Sequence, residues 1–131
     1  RPYVTALVVP SPLETLEWGA ARGLVSQADL QARTQELVAN PAARSEALNR
    51  NMAAVVSHPD FAGRMLEAVR RGNQNLAHVE TIRRFFLLDR DLSQEHGELT
   101  PTLKVKRKEL LSRYADRFSR LYDDESFGAS V

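Results

Sequence analysis

The chain of 131 residues contains no cysteine. That absence excludes a disulfide scaffold, a thiol nucleophile, a thiolate zinc site and an iron–sulfur cluster. No apolar run approaches the roughly 20 residues that a membrane-spanning helix needs. The hydrophobic fraction of 43% and the charged fraction of 27% are typical of an ordinary soluble globular protein. The length suits one compact domain.

The common nucleotide-binding and catalytic motifs are also missing. The sequence has no GxxxxGK[ST] phosphate loop, no GxGxxG dinucleotide fingerprint and no GxSxG nucleophile elbow. The three histidines, His58, His78 and His96, are far apart in the sequence and have no partner at an i, i+4 spacing. We therefore predict surface or capping roles for them and no metal site. The chain lacks the usual means of holding a nucleotide by itself.

The first residues carry no secretory signal pattern, because no basic n-region precedes an apolar h-region. Residues 1–3 instead lead directly into a strand-like run, so we expect this start to be a cut inside a longer protein. For that parent protein we expect a cytoplasmic location, either free or peripheral to a membrane.

Hydrophobic patterning predicts strands at 4–9 and 81–88, both rich in β-branched or aromatic residues. Helix-start signals predict four helices between them, beginning at Ser11, Ser26, Asn40 and Ser57. Ser11 and Glu14 have the spacing of a capping box. Val38 is expected on the buried face of the second helix.

After the second strand, residues 89–97 are polar and predict a loop, and residues 98–103 predict an extended segment. One final helix is expected to bury a periodic set of side chains: Leu110, Leu111, Tyr114, Phe118, Leu121 and Tyr122. The pattern as a whole predicts an α+β fold, with a short β-sheet flanked by several helices. We expect one domain at 1–125, a helical insertion at about 26–57 and a frayed tail at 126–131.

Charge is uneven along a chain whose net charge is +1. Residues 101–122 carry seven basic and two acidic groups, and the three lysines, Lys104, Lys106 and Lys108, lie within five positions. Three interpretations stay open on charge alone. The cluster is a solvated helix start, a nucleic-acid patch, or a loop that presents a catalytic lysine. No aromatic residue is interleaved among the cations, which disfavours the nucleic-acid interpretation.

A longer motif surrounds the first lysine. Residues 97–107, GELTPTLKVKR, resemble the C-terminal lysine motif of long-chain fatty acyl-CoA synthetases, which are members of the adenylate-forming superfamily. Residues 73–85, with Asn73, Leu76 and Glu80, resemble the segment that precedes this motif. Residues 1–20 resemble the first strand after the hinge of these enzymes, and Tyr114 and Tyr122 fit their closing helix.

The resemblance implies the C-terminal, mobile domain of an AMP-forming long-chain fatty acid–CoA ligase. Lys104 stands at the position of the catalytic lysine, which acts when ATP and a fatty acid form an acyl-adenylate. Thr100 and Thr102 could donate hydrogen bonds to a phosphate, although turn and strand roles are favoured. ATP, Mg²⁺ and CoA are the cofactors implied for the full-length enzyme, and none is expected to bind this part alone.

The implied partner is an N-terminal domain of the same parent chain that binds the nucleotide and the acyl group. The isolated chain is expected to be inactive and able to form a homodimer through surface that this domain would cover. No nucleic acid is expected as a partner. Two alternatives remain: a non-catalytic helical interaction module and, less favoured, a nucleic-acid-binding basic patch.

Overall fold

The computed structural model describes residues 3–131, so Arg1 and Pro2 of the predicted cut lie outside the described residues. Its sheet has three strands: β1 (Val4–Val8), β2 (Ile82–Leu87) and β3 (Ala129–Ser130). β2 is central, parallel to β1 and antiparallel to β3. The two strands predicted from sequence are therefore confirmed. β1 is only half-buried, because it lies at an edge of the sheet.

Six helices accompany the sheet within residues 3–131. Four of them connect the parallel strands β1 and β2: α1 (Pro12–Ala21), α2 (Gln27–Ala39), α3 (Glu46–Val56) and α4 (Pro59–Asn73). Two more connect β2 to β3: α5 (Arg107–Arg113) and α6 (Ala115–Asp123). A 3₁₀ turn at His78–Glu80 leads into β2. The small α+β architecture predicted from the sequence is confirmed.

The larger core lies among the helices of the first connection. It contains the buried side chains of Leu16, Val25, Leu48, Met52, Val55 and Phe61. Full burial of one such side chain contributes about 1.5–3 kcal/mol. α1 and α3 approach closely at Gly19, where an added Cβ would clash with a methyl group of Val55. Helix α1 therefore needs a residue without a side chain at this point.

A second, smaller core supports the segment that follows β2. Leu88, Leu92 and Leu110 are buried there, and Leu99 and Tyr114 pack against them. This cluster joins the end of β2 to α5. The residues between them, which include the predicted lysine motif, are thus fixed at both ends.

Helix starts agree only in part with the predictions. Ser26 accepts a hydrogen bond from the Asp29 N–H, as expected for an N-cap. Ser11 makes no side-chain cap, so the predicted capping box is wrong. The predicted start at Asn40 is also wrong, because its side chain accepts the Ala42 N–H in a turn and α3 begins later, capped by Ser45.

Two side chains expected in the core are exposed. Val38 is 78% exposed at the end of α2, and Leu111 is 57% exposed on α5.

The prediction of a single final helix is also wrong, because the helix breaks at Tyr114, whose backbone leaves the helical region (φ −107°, ψ 21°). The break lets α5 bury Leu110 beneath the lysine motif while α6 buries Leu121.

The predicted frayed tail at 126–131 is wrong, since Ala129 and Ser130 in this stretch form β3 and the Val131 N–H donates to the Arg83 carbonyl oxygen. The cause is Arg84 on β2, which is 9% exposed. Its guanidinium donates to the Ser130 hydroxyl and to four backbone carbonyls, those of Leu121, Asp124, Glu125 and Phe127. One buried cation therefore orders the whole C-terminal turn.

Candidate functional site: the lysine hairpin

Residues 98–106 form a tight antiparallel hairpin, called the lysine hairpin below. Leu99 bridges Val105, and the Lys106 N–H donates to the Glu98 carbonyl at 2.8 Å. At the tip, the Leu103 N–H donates to the Thr100 carbonyl at 2.8 Å, which closes a four-residue turn. The extended segment predicted at 98–103 is therefore correct only for its first residues, since the chain reverses after Thr100.

The two threonines of the motif stabilise this turn. The Thr100 hydroxyl oxygen accepts the Lys104 N–H at 3.0 Å and lies 3.2 Å from the Thr102 hydroxyl oxygen. Leu103 completes the turn in the left-handed region, with φ +64°. The hydroxyls thus have the turn role that the sequence favoured. Thr102 is exposed beside Lys104, and a phosphate role for either threonine stays a prediction.

Lys104 follows the turn and is exposed. Among residues 3–131, no hydrogen bond or ion pair engages its ammonium group. Both backbone polar groups of Lys104 are hydrogen-bonded, because its N–H donates to the Thr100 hydroxyl oxygen and its carbonyl accepts the Thr100 N–H. The geometry is a rigid base with a free, flexible ammonium that can reach an anion outside this chain.

The base of the lysine hairpin is held by a buried carboxylate. Glu98 is 0% exposed, and Arg90 donates to its two oxygens at 2.7 and 2.9 Å. Arg113 at the end of α5 donates to the same carboxylate at 3.0 Å and also to the His96 carbonyl. The Ser93 N–H adds a fourth hydrogen bond, at 3.2 Å. Buried charges are tolerated when they are paired and hydrogen-bonded in this way.

The electrostatics of this cluster keep Glu98 ionised. Burial alone would raise the pKa of Glu98, but the hydrogen bonds from Arg90 and Ser93 and the charges of Arg90 and Arg113 outweigh it. The pKa of Glu98 is therefore lowered. The same hydrogen bond raises the pKa of Arg90. The Glu98 carboxylate and the Arg90 guanidinium thus both favour their charged forms.

Two hollows flank the lysine hairpin. One is an apolar groove of about 370 Å³ between β1 and the last two helices, and Val105, Arg107 and Leu111 are among the residues that line it. The other, of about 260 Å³, separates the lysine hairpin from the connector between α2 and α3. Lys106, Arg107 and Lys108 are exposed at the start of α5. The surface around Lys104 is therefore basic beside an apolar groove.

Each histidine has its own local contacts, and in the described residues none of these contacts involves Lys104. His58 caps α4 through Nδ1, His78 lies 3.2 Å from Arg83, and His96 contacts the Ser93 hydroxyl at 2.6 Å. Within the described residues, no group of three or more acidic or histidine side chains could hold a metal ion. In that same part of the chain, none of the helices has both the length and the apolar character that a bilayer crossing requires.

Sequence reasoning missed the residues that hold the site. It included Glu98 as part of the motif GELTPTLKVKR and named no partner for it, and it missed Arg90 and Arg113. No local signal marked Glu98 as buried, because residues 89–97 before it are polar and an exposed carboxylate is the usual expectation in such a segment. Arg90 and Arg113 lie 8 and 15 positions from Glu98, so local spacing did not identify them.

Known proteins share the sequence of much of this chain. It is 33% identical over 81 residues to the long-chain-fatty-acid–CoA ligase FadD15 of Mycobacterium tuberculosis, covering 62% of this chain and 14% of that protein. It is 32% identical over 85 residues to the putative fatty-acid–CoA ligase fadD11 of the same species, covering 65% of this chain and 15% of that protein. The long-chain-fatty-acid–CoA ligase ACSBG1 of Macaca fascicularis is 38% identical over 60 residues, covering 45% of this chain and 8% of that protein.

No protein-family model matches the chain, and no solved structure matches it. The matched part spans about one seventh of the first two relatives, 14% of FadD15 and 15% of fadD11. Within that span, the predicted resemblance is confirmed: this sequence is similar to long-chain fatty acyl-CoA synthetases.

Proposed function

We propose that this chain is the C-terminal, mobile domain of an AMP-forming long-chain fatty acid–CoA ligase. In that enzyme it would supply Lys104 to acyl-adenylate formation. The observation that carries the proposal is the lysine hairpin, with a free exposed lysine on a base locked by Glu98. The similarity to three fatty-acid–CoA ligases supports the same activity.

The chemistry of adenylation explains the need for such a lysine. A fatty carboxylate attacks the α-phosphorus of ATP, a new C–O–P linkage forms, and pyrophosphate leaves. Both reactants are anions, so a cation placed between them lowers their repulsion as negative charge develops. One well-placed group of this kind contributes about 10²–10³ in rate. The ammonium of Lys104 would be that cation, delivered by the lysine hairpin to a site on another domain.

The ordered structure of the lysine hairpin is compatible with movement of the whole domain. An ordered base preserves the position of Lys104 within its own domain while the domain moves as a body. The long side chain then adjusts to the substrate. ATP, Mg²⁺ and CoA would be bound chiefly by the parent's other domain, and the isolated chain would be inactive. In the thioester-forming step, a different face of this domain would meet the active site.

The test separates the two half-reactions in the full-length protein. Lys104→Ala should lower acyl-adenylate formation from ATP and fatty acid by about 10²-fold or more. Thioester formation from supplied acyl-adenylate and CoA should be nearly unchanged. Lys108→Ala is the matched control, since it removes a neighbouring exposed lysine of the same cluster. Equal loss of both half-reactions, or no loss of the first, would contradict the proposal.

A further inference from the structure

The connector between α2 and α3, residues 40–45, lies against the segment that leads into the lysine hairpin. Its Arg44 forms an ion pair with Asp91, with Nη2 and Oδ2 only 2.6 Å apart. Both side chains are largely buried, at 12% and 21% exposure. The pair joins residues 47 positions apart, so it fixes the helical segment 26–57 to the loop after β2.

Arg44 is itself held in place by its own connector. Its Nη1 donates to the carbonyls of Pro41 at 2.8 Å and Ala43 at 2.6 Å. A guanidinium held by several acceptors loses little further freedom when it pairs with a carboxylate. The Arg44–Asp91 ion pair is therefore held in one geometry. A loose ion pair on the surface would contribute little to stability.

Asp91 transmits this support toward the lysine hairpin. Its second carboxylate oxygen, Oδ1, accepts the Leu92 N–H at 2.8 Å, and its carbonyl accepts a hydrogen bond from Arg90 at 3.1 Å. Arg90 is the residue that holds both oxygens of Glu98. The hydrogen-bonded path from the connector to the hairpin base is thus continuous through Arg44, Asp91, Arg90 and Glu98.

The connector also faces the lysine hairpin directly. Pro41, Ala42 and Arg44 line one side of the 260 Å³ hollow, and Leu99, Leu103 and Val105 of the hairpin line the other. Leu103 holds the left-handed turn position just before Lys104. Movement of the connector would therefore change the space available to the tip of the hairpin.

We infer that Arg44 is a positioning residue for Lys104, and that the helical segment 26–57 supports the lysine hairpin through the Arg44–Asp91 ion pair. This inference rests on the proposed function for its catalytic consequence, but its structural part is independent. Without Arg44, Asp91 would no longer tie the loop to the connector, and the base of the hairpin would open more often. Lys104 would then be presented in a wider range of positions, which slows a step that depends on placement.

The experiment compares Arg44→Gln with the parent in the full-length protein. Hydrogen exchange of peptides covering 98–106 should become about tenfold faster, because local opening of that segment costs less. The kcat of acyl-adenylate formation should fall about tenfold with little change in the KM for ATP. Arg44→Lys keeps a positive charge near Asp91, so its exchange rate and its kcat should lie between those of the parent and those of Arg44→Gln. Arg50→Gln, an exposed arginine on α3, is the matched control and should change neither value.

Unchanged exchange at 98–106 in Arg44→Gln would overturn the inference. So would equally accelerated exchange across α2, α3 and α4, which would make Arg44 an ordinary stabiliser of the fold. Failure of the proposed function has a different signature. In that case Lys104→Ala would not slow adenylate formation, while the exchange comparison would still decide whether Arg44 holds the hairpin.

Discussion

Arg90 donates two near-equal hydrogen bonds, of 2.7 and 2.9 Å, to the two carboxylate oxygens of the fully buried Glu98. Arg90 follows the end of β2, and Glu98 begins the lysine hairpin. A two-point contact between a planar guanidinium and a planar carboxylate fixes orientation as well as distance. The direction in which the hairpin leaves the sheet is therefore set by this pair.

Replacing Glu98 by glutamine should destabilise the fold by roughly 3 kcal/mol, the low end of the range for breaking a buried ion pair. The low end applies because Arg90 and Arg113 both reach solvent and can be rehydrated. Urea unfolding of the 131-residue chain measures the difference. Glu95→Gln serves as the control, since Glu95 is exposed in the adjacent turn. A loss below about 0.5 kcal/mol, typical of a surface substitution, would show that the cluster is dispensable.

The same cluster predicts a dependence of stability on pH. Because the pKa of Glu98 is lowered in the folded state, the folded protein binds fewer protons than the unfolded chain at mildly acidic pH. The contribution of Glu98 is complete above its unfolded pKa of about 4.3. It is lost as the pH falls through its lower folded pKa. Urea unfolding from about pH 6 to pH 3 should therefore show a shallower loss of stability in Glu98→Gln than in the parent.

The left-handed turn residue Leu103 gives a prediction about the hairpin tip. Leu103→Ile should destabilise the turn by about 1–2 kcal/mol, since a β-branched residue is poorly accommodated at positive φ. Leu103→Asn should cost much less, because asparagine tolerates this conformation and Leu103 is already half-exposed. Hydrogen exchange of the Leu103 and Lys104 amides measures the local effect. If the two variants exchange equally fast, backbone conformation does not limit the turn.

Local signals in the sequence predicted the parts of the fold that depend on nearby residues. The strands at 4–9 and 81–88 were recognisable from β-branched and aromatic runs, and Ser26 from the residues that follow it. The position of Lys104 on a loop was implied only by the resemblance of residues 97–107 to the lysine motif of acyl-CoA synthetases, since charge alone left three interpretations open. The strands and the Ser26 cap are each decided within a window of about ten residues, where propensity and capping act directly.

Features decided by distant residues were mispredicted. Val38 has the right spacing for a core position, but it lies exposed near the end of α2, where nothing among residues 3–131 buries it. The tail is polar and small, yet it is ordered because Arg84, some 40 positions earlier, offers donors to its carbonyls. Glu98 and its two arginines are likewise a tertiary arrangement. Hydrophobic periodicity does not indicate which charged side chains will form buried ion pairs in the folded protein.

Arg84 therefore yields a prediction of its own. Arg84→Lys should cost about 2–3 kcal/mol in unfolding free energy, because a lysine has three donors on one atom and cannot reach acceptors spread around a guanidinium. The loss should concentrate in the tail, and proteolysis within 124–131 should become faster. Arg83→Lys, the neighbouring exposed residue on β2, is the control. Equal effects of the two substitutions would contradict the special role of Arg84.

Gly23 and Gly128 have almost the same backbone conformation but different surroundings. Gly23 has φ +74° and open space around its Cα, whereas Gly128 has φ +72° and lies against β2. Gly23→Ala should cost about 1 kcal/mol, the price of a left-handed alanine. Gly128→Ala has that same strain, and its Cβ would also lie 2.5 Å from the Phe85 carbonyl oxygen and 2.7 Å from a methyl of Leu121. Backbone atoms of β2 cannot yield as a flexible side chain can, so we expect a further loss of about 1–3 kcal/mol. Urea unfolding of both variants measures the difference, and equal losses would mean that β3 does not pack against β2 as closely as the structure has it.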